Sequence, residues 1–273
     1  MLPEDELVDR LRSVAPTGDG IVVGIGDDAA VLEGGLVVSS DMLVEGVHFD
    51  RGRSDAREIG ARAGAVNLSD LAAMGASPLC LIAAVGVPVG FESVDELVAG
   101  LASHGVPVAG GDLSRAPVLT IAVTAVGRAE RPVLRSGGRP GDRLVVTGEL
   151  GAQAAGGYVA PVVPRLEEGA RLAAAATAMI DLSDGIAADV PRLARASRCG
   201  ARVWLDRLPR APGATLEQAA AGGEDYELLA AVPPGWAIPG WLTEVGELTA
   251  GDDVLLVGAD GAAVELAGWD HFR

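Results

Sequence analysis

The 273-residue chain has no lysine: all 21 of its basic residues are arginine, set against 38 acids for a formal net charge of −17. That absence excludes a Walker-A phosphate loop, protein-kinase chemistry and Schiff-base chemistry, each of which needs a lysine amine. A net-acidic chain also lacks the cations that displace counterions from nucleic-acid phosphates, so no nucleic-acid partner is expected. Any phosphate handled here must be met by metal ions, arginine and backbone N–H groups. Cysteine is nearly absent too: Cys80 and Cys199 form no CxxC pair, which suits a reduced, cytoplasmic compartment. The histidines are only His48, His104 and His271, with no HxxxH spacing, so zinc is not expected. Residues 71–91 carry no charge, but Gly75, Pro78, Gly86, Pro88 and Gly90 interrupt them. They read as a helix end, a Ser77-Pro78 turn and a buried strand rather than a membrane span. The stretch MLPEDELVDRLRS is acidic and amphipathic, unlike a secretory signal.

What is present is a regular alternation of apolar strands and helical segments in both halves of the chain. Glu4 to Val14 has helical spacing, and residues 55–74 place Ile59, Ala63, Val66 and Leu71 on one side of a longer helix. A Gly-, Pro- and Arg-rich segment, RPVLRSGGRPGD (131–142), marks the best boundary. The expected class is α/β (α+β) with two domains, residues 1–130 and 138–273.

The informative pattern is where the aspartates fall. Asp27 and Asp28 follow the strand VVGIG, Asp41 ends VVSS and Asp70 sits in NLSDLAAMG. Asp112 follows a Gly-Gly pair read as a tight turn, while Asp181 and Asp184 bracket DLSDG. Taken singly, any of these is a helix cap or turn residue. As a set they gather at strand ends, where carboxylates repel one another unless cations or protons neutralise them. Hard oxygen ligands of this kind suit Mg²⁺ shared with substrate phosphates. The segment GIGDDA nearly matches a dinucleotide fingerprint, but its two aspartates stand where backbone N–H groups should meet a pyrophosphate. Arg135 is either a phosphate clamp or an interdomain ion pair. Glu224 and Asp225 are either solvated turn acids or face a cationic substrate. His48 reads by default as a surface histidine, and Trp269 as a packing residue.

Eight segments together resemble the thiamine-monophosphate kinase family, within the aminoimidazole-ribonucleotide-synthetase-like superfamily. They are GIGDDAAVL (24–32), SSDMLVEGVHF (39–49), AVNLSDLAAMGASP (65–78), AGGDLSR (109–115), LRSGGRPGD (134–142), IDLSDGIAAD (180–189), GGEDYELL (222–229) and GWDHF (268–272). The resemblance implies a two-domain fold, each domain a mixed sheet with packed helices. The N-terminal domain would carry the metal and ATP site and the dimer contact, and the C-terminal domain would complete the ATP and substrate sites. It implies transfer of the terminal phosphoryl group of ATP to thiamine monophosphate, in line and with several Mg²⁺ ions, by a homodimer. Carried over by motif, Asp28, Ser39, Ser40, Asp41, Asp70, Asp112, Asp181 and Asp184 would be metal ligands, with Asp28, Asp41, Asp70 and Asp112 acting in catalysis through the metal. Gly111, Asp112, Arg135 and Ser183 would meet ATP, and His48, Glu224 and Trp269 the thiamine moiety. This chain departs from the family pattern at Leu113, where threonine is usual, and in the segment APVVPR (160–165). Selenophosphate synthetase is disfavoured by the missing lysine and the missing N-terminal cysteine. Aminoimidazole-ribonucleotide synthetase and a non-catalytic nucleotide-binding module are the competing readings.

Overall fold

The computed structural model describes residues 3–16 and 18–269. Residues 270–272 of the GWDHF motif, with His271, lie outside them. The first half contains α1 (Glu4–Val14), β1 (Ile21–Val23), β2 (Ala30–Leu32), β3 (Leu36–Val44), α2 (Ala56–Ala73), β4 (Ser77–Val87), α3 (Val94–Leu101), β5 (Val108–Arg115) and β6 (Thr120–Arg128). The second contains β7 (Arg143–Thr147), α4 (Ala152–Gly156), α5 (Leu166–Leu172), β8 (Ala178–Asp181), α6 (Ile186–Ser197), β9 (Gly200–Trp204), α7 (Leu216–Ala221), β10 (Leu228–Val232), β11 (Leu242–Thr249) and β12 (Val254–Val257).

The strands form two six-stranded mixed sheets, ordered β1-β2-β3-β6-β4-β5 and β12-β9-β11-β7-β10-β8. Each sheet is antiparallel except at one edge, where β4 pairs with β5 and β9 with β12 in parallel. Strand alternation sorts the first sheet's side chains. Along β3, Val37, Ser39 and Leu43 are buried while Ser40 and Met42 are exposed. The inner face packs on α2 and α3 through Val37, Leu81, Ile121, Leu68 and Leu97. The outer face is uncovered, exposing Met42, Leu79 and Ile82, and Leu113 on β5 is exposed as well. The second sheet is covered on both sides: Leu144 and Val146 face a core with α6, and Val145 faces another with Leu172 of α5.

The helix between the sheets is α2. Asp55 caps it, accepting from Glu58 N (2.8 Å) while Glu58 Oε2 accepts from Asp55 N (2.9 Å), a reciprocal capping box. Gly75, at φ +63°, ends it in the left-handed conformation, and Ala76 N returns to Leu71 O at 2.9 Å. The one-sided apolar stripe expected from the sequence is only part of its buried surface. Gly60 and Gly64 are buried against α3, and Ala72 and Ala73 are buried because the second sheet and α5 cover the side a surface helix would leave wet.

Two further expectations are corrected. Ser77 and Pro78 do not turn; they begin β4, opposite Arg128 and Gly127, with a register shift beside Pro78 that accommodates its missing N–H. The Gly110-Gly111 pair is not a turn either but the middle of β5. Gly111 lies so close to Ala83 of β4 that an added Cβ would stand 1.8 Å from its carbonyl oxygen.

The α2–α3 contact is closer than side chains permit. A Cβ on Gly60 would lie 2.0 Å from Leu97 O, and one on Gly100 would lie 2.1 Å from Arg57 O. Gly60→Ala gains roughly 1 kcal/mol of helix propensity, but overpacking against backbone costs about 1–3 kcal/mol. The variant is therefore expected to lower the denaturant midpoint. Gly156→Ala, where a Cβ would meet nothing within 4 Å, is expected to leave the midpoint level or raise it.

Candidate active site

A cleft of about 1690 Å³ opens between the two halves and is lined by most of the aspartates singled out above. Deep in it, carboxylate oxygens of Asp28, Asp70 and Asp181 lie within 4.8 Å of one another. Three separate elements deliver them: the loop after β1, the last turns of α2 and the end of β8. Each leans on a neighbour. Ser39 Oγ donates to Asp70 Oδ2 and Ser69 Oγ donates to Asp181 Oδ2 at 2.7 Å. Arg135 donates to Asp28 Oδ1 through Nε at 3.1 Å and Nη2 at 2.6 Å, while its backbone N–H reaches Asp27. The other oxygen, Asp28 Oδ2, is buried with no hydrogen-bond partner among the described residues.

Electrostatics follow from this crowding. Asp70 is held well above the ordinary carboxylate range by burial, then by the charges of Asp41, Asp181 and Asp28. Asp181 is raised by burial and then by Asp28. Asp27 is pushed up to about 6, again by burial first and Asp28 second. Burial works against the Arg135 charge, but Asp28 outweighs it and the guanidinium is stabilised as a cation. An orphaned buried carboxylate oxygen beside two more acids is a donor set that fits a hard divalent cation.

The remaining expected residues sort into three groups. Asp41 joins the deep cluster: it shares the inner face of β3 with Ser39, and its N–H donates to Asn67 Oδ1 at 2.9 Å. Asp184 lies on the adjoining wall in an ion pair with Arg192, which also binds Asp189 at 2.9 Å. Ser183 lines the cleft, and its carbonyl accepts from Glu224 N at 2.6 Å. His48, Glu224 and Trp269 line it too. Val44 N donates to His48 Nδ1 at 3.0 Å, so the ring proton sits on Nε2. Trp269 N donates to Asp184 O at 3.2 Å, with the indole half exposed.

Ser40, Gly111 and Asp112 are not brought into the cluster. The Ser40 hydroxyl lies on the opposite face of the sheet, 3.1 Å from both Val123 O and Thr124 Oγ1. Gly111 and Asp112 are exposed on β5, where Asp112 Oδ2 accepts from Ser114 at 2.9 Å. Conversely, Asn67, Ser69, Arg192 and Arg62 belong to the site although the sequence did not single them out. The spacing of Arg62, Val66 and Asp70 at intervals of four was the available signal.

Two mixed sheets, a helix between them and carboxylates converging at its end define an α/β protein with a buried acidic site between two halves. The family model "AIR synthase related protein, N-terminal domain" matches residues 26–129. The thiamine-monophosphate kinase of Halobacterium salinarum is 39% identical, over 92% of this chain and 96% of its own length. The solved structure of AaThiL complexed with AMPPCP and TMP superposes with a TM-score of 0.88 at 30% identity, covering 99% of this chain and 97% of its own. The thiamine-monophosphate kinase of Stenotrophomonas maltophilia gives 0.76 at 32% identity, covering 96% and 98%. The chain belongs to the thiamine-monophosphate kinase family.

If the cluster stores repulsion that a cation relieves, Asp70→Asn removes one charge while keeping an acceptor for Ser39. In EDTA the variant is expected to melt no lower than the wild type. The wild type is expected to gain stability with Mg²⁺, about 2.7 kcal/mol at a hundredfold excess over Kd, and the variant to lose most of that gain. Calorimetric melts with and without Mg²⁺ check both halves.

Proposed function

We propose that this chain transfers the terminal phosphoryl group of ATP to thiamine monophosphate, giving thiamine diphosphate, by direct in-line attack of an acceptor phosphate oxygen. The observation that carries the reading is the convergence of Asp28, Asp70 and Asp181, with one unpaired oxygen, at the deep end of a cleft large enough for two ligands. The AMPPCP and TMP held by AaThiL, a relative of the same fold, support it.

Asp28, Asp70 and Asp181 would hold Mg²⁺, with Ser39, Asp41 and Asp184 beside them. Bound Mg²⁺ supplies charge neutralisation between the two anionic ligands and orientation of the transferred group. The chain's own residues position the reactants. Arg135, already within the acidic cluster, offers a fork of donors to the donor phosphates in a protein without lysine. Ser183 borders the same end, close to Glu224 through its carbonyl. His48, Glu224 and Trp269 form the acceptor end, with Trp269 offering a face for stacking and Glu224 a carboxylate for the cationic ring system. No protein nucleophile is required, because the acceptor phosphate brings its own anionic oxygen.

We also take residues 1–130 and 138–273 as the two domains, and the uncovered face of the first sheet as the seat of a homodimer. Gly111 and Asp112 lie on the edge of that sheet rather than in the cleft, so we read them as serving the site across the dimer. Ser40 borders the cleft, with its hydroxyl on the uncovered face.

The purified protein with ATP, Mg²⁺ and thiamine monophosphate is expected to form thiamine diphosphate, followed by chromatography. Binding of both ligands without product would overturn the reading in favour of a non-catalytic module. Asp70→Asn is expected to lower turnover at least a hundredfold with the fold intact. Asp70→Asn and Asp112→Asn, each inactive alone, are expected to regain a fraction of activity when co-refolded. No recovery places Asp112 in its own subunit's site.

A further inference from the structure

We propose that Arg62 is a positioning residue for the acceptor: it aims the Glu224 carboxylate, and α2 thereby fixes the distance between acceptor recognition and the reacting phosphates. The inference rests on the reading of Glu224 as an acceptor contact. Arg62, Val66 and Asp70 all line the cleft and lie at intervals of four along α2, on one face of the helix. At 1.5 Å per residue, Arg62 and Asp70 are about 12 Å apart along its axis. One rigid helix therefore carries a carboxylate of the metal cluster at one end and a guanidinium at the other.

The Arg62 head group is enclosed, with its side chain 9% exposed. It forms an ion pair with Glu224 Oε2, and Nη1 lies 3.5 Å from Gln153 Oε1 and 3.4 Å from Ala160 O. Gln153 Nε2 also donates to Ala160 O, at 3.0 Å. Three separate pieces of chain thus meet on one cation.

Glu224 needs such a tether. It and Tyr226 hold left-handed φ values of +58° and +53°, a region that costs a side-chain-bearing residue energy unless the surroundings impose it. The backbone is imposed: Glu224 N donates to Ser183 O, Tyr226 N donates to Leu182 O at 3.0 Å, and Asp225 Oδ2 accepts from Gly151 N at 2.6 Å. Those bonds place the Cα atom. They leave three side-chain torsions of Glu224 to be set, and the ion pair to the enclosed Arg62 guanidinium holds the carboxylate end. An unaimed carboxylate would still attract a cation but would lose the alignment that orients the acceptor.

The test compares Arg62→Gln, Arg62→Lys, Glu224→Gln and the double variant Arg62→Gln/Glu224→Gln. For each, KM for thiamine monophosphate, KM for ATP and kcat are read beside calorimetric binding of thiamine monophosphate. Arg62→Gln is expected to weaken acceptor KM and binding at least tenfold, with ATP KM and kcat within about threefold. Arg62→Lys, which keeps a point charge without the fork, should recover part of the loss and serves if the glutamine variant does not fold. In the Glu224→Gln background, Arg62→Gln is expected to add less than twofold. Full additivity overturns the proposal, because Arg62 then acts independently of Glu224. Equal weakening of ATP and acceptor also overturns it, by showing a merely structural role. If Glu224→Gln leaves acceptor binding unchanged, the reading of Glu224 and this proposal fall together. Ordered binding losses without turnover in any form, wild type included, support the tether and count against the kinase reading alone.

Discussion

Mutual repulsion among Asp28, Asp70 and Asp181 is the constraint around which the molecule is arranged. Three carboxylates within 4.8 Å will not gather by themselves, and each is held by structure built for other reasons. Asp70 rides on a helix locked between two sheets, Asp181 ends a strand buried along its whole length, and Asp28 is drawn by Arg135. The hydroxyls of Ser39 and Ser69 blunt the charges without neutralising them. Burial and like charge then push Asp70 and Asp181 above the ordinary carboxylate range, in a cluster that could hold a cation.

That arrangement depends on α2 more than on any other element. Its glycines let α3 approach to backbone contact on one side, while Ala72 and Ala73 meet the second sheet's core on the other. Beyond its first turn, where Arg57 and Glu58 are exposed, the helix is enclosed and has no open solvent face. The polar groups of that enclosed part, Arg62, Asn67, Ser69 and Asp70, therefore find partners inside the protein. Burial of a polar group without a partner is costly, so the placement of these four residues constrains neighbouring elements as firmly as the apolar packing does.

Much of this was legible in the chain, and the misses have local causes. Asp181 at the end of its strand was readable because a strand's end is a property of neighbouring residues, whereas Asp41, expected to end a strand, lies inside β3, and Asp112 lies inside β5. Which three aspartates converge was not readable, since that depends on how β8 meets α2. Gly110-Gly111 carries the usual turn signature, yet Gly111 is required by its closeness to Ala83 of a different strand. Helix α7 escaped notice because it is too short to show a periodic stripe. An arginine on a helix reads as a solvated residue, and nothing in the sequence around Arg62 reveals that Glu224 and Ala160 enclose it.

The shared core at the end of α2 has a mechanical consequence. Ala72 and Ala73 pack with Val145, Leu172, Met179 and Leu228 in one cluster, and an added Cβ on Gly169 of α5 would lie 2.2 Å from Ala72 O. Swinging the two sheets apart like jaws would wet that apolar seam and part backbones now in contact. The cleft is thus a socket with fused walls, and traffic through it falls to the thinner pieces at its rim: α1, and the segment from Gly157 to Val163.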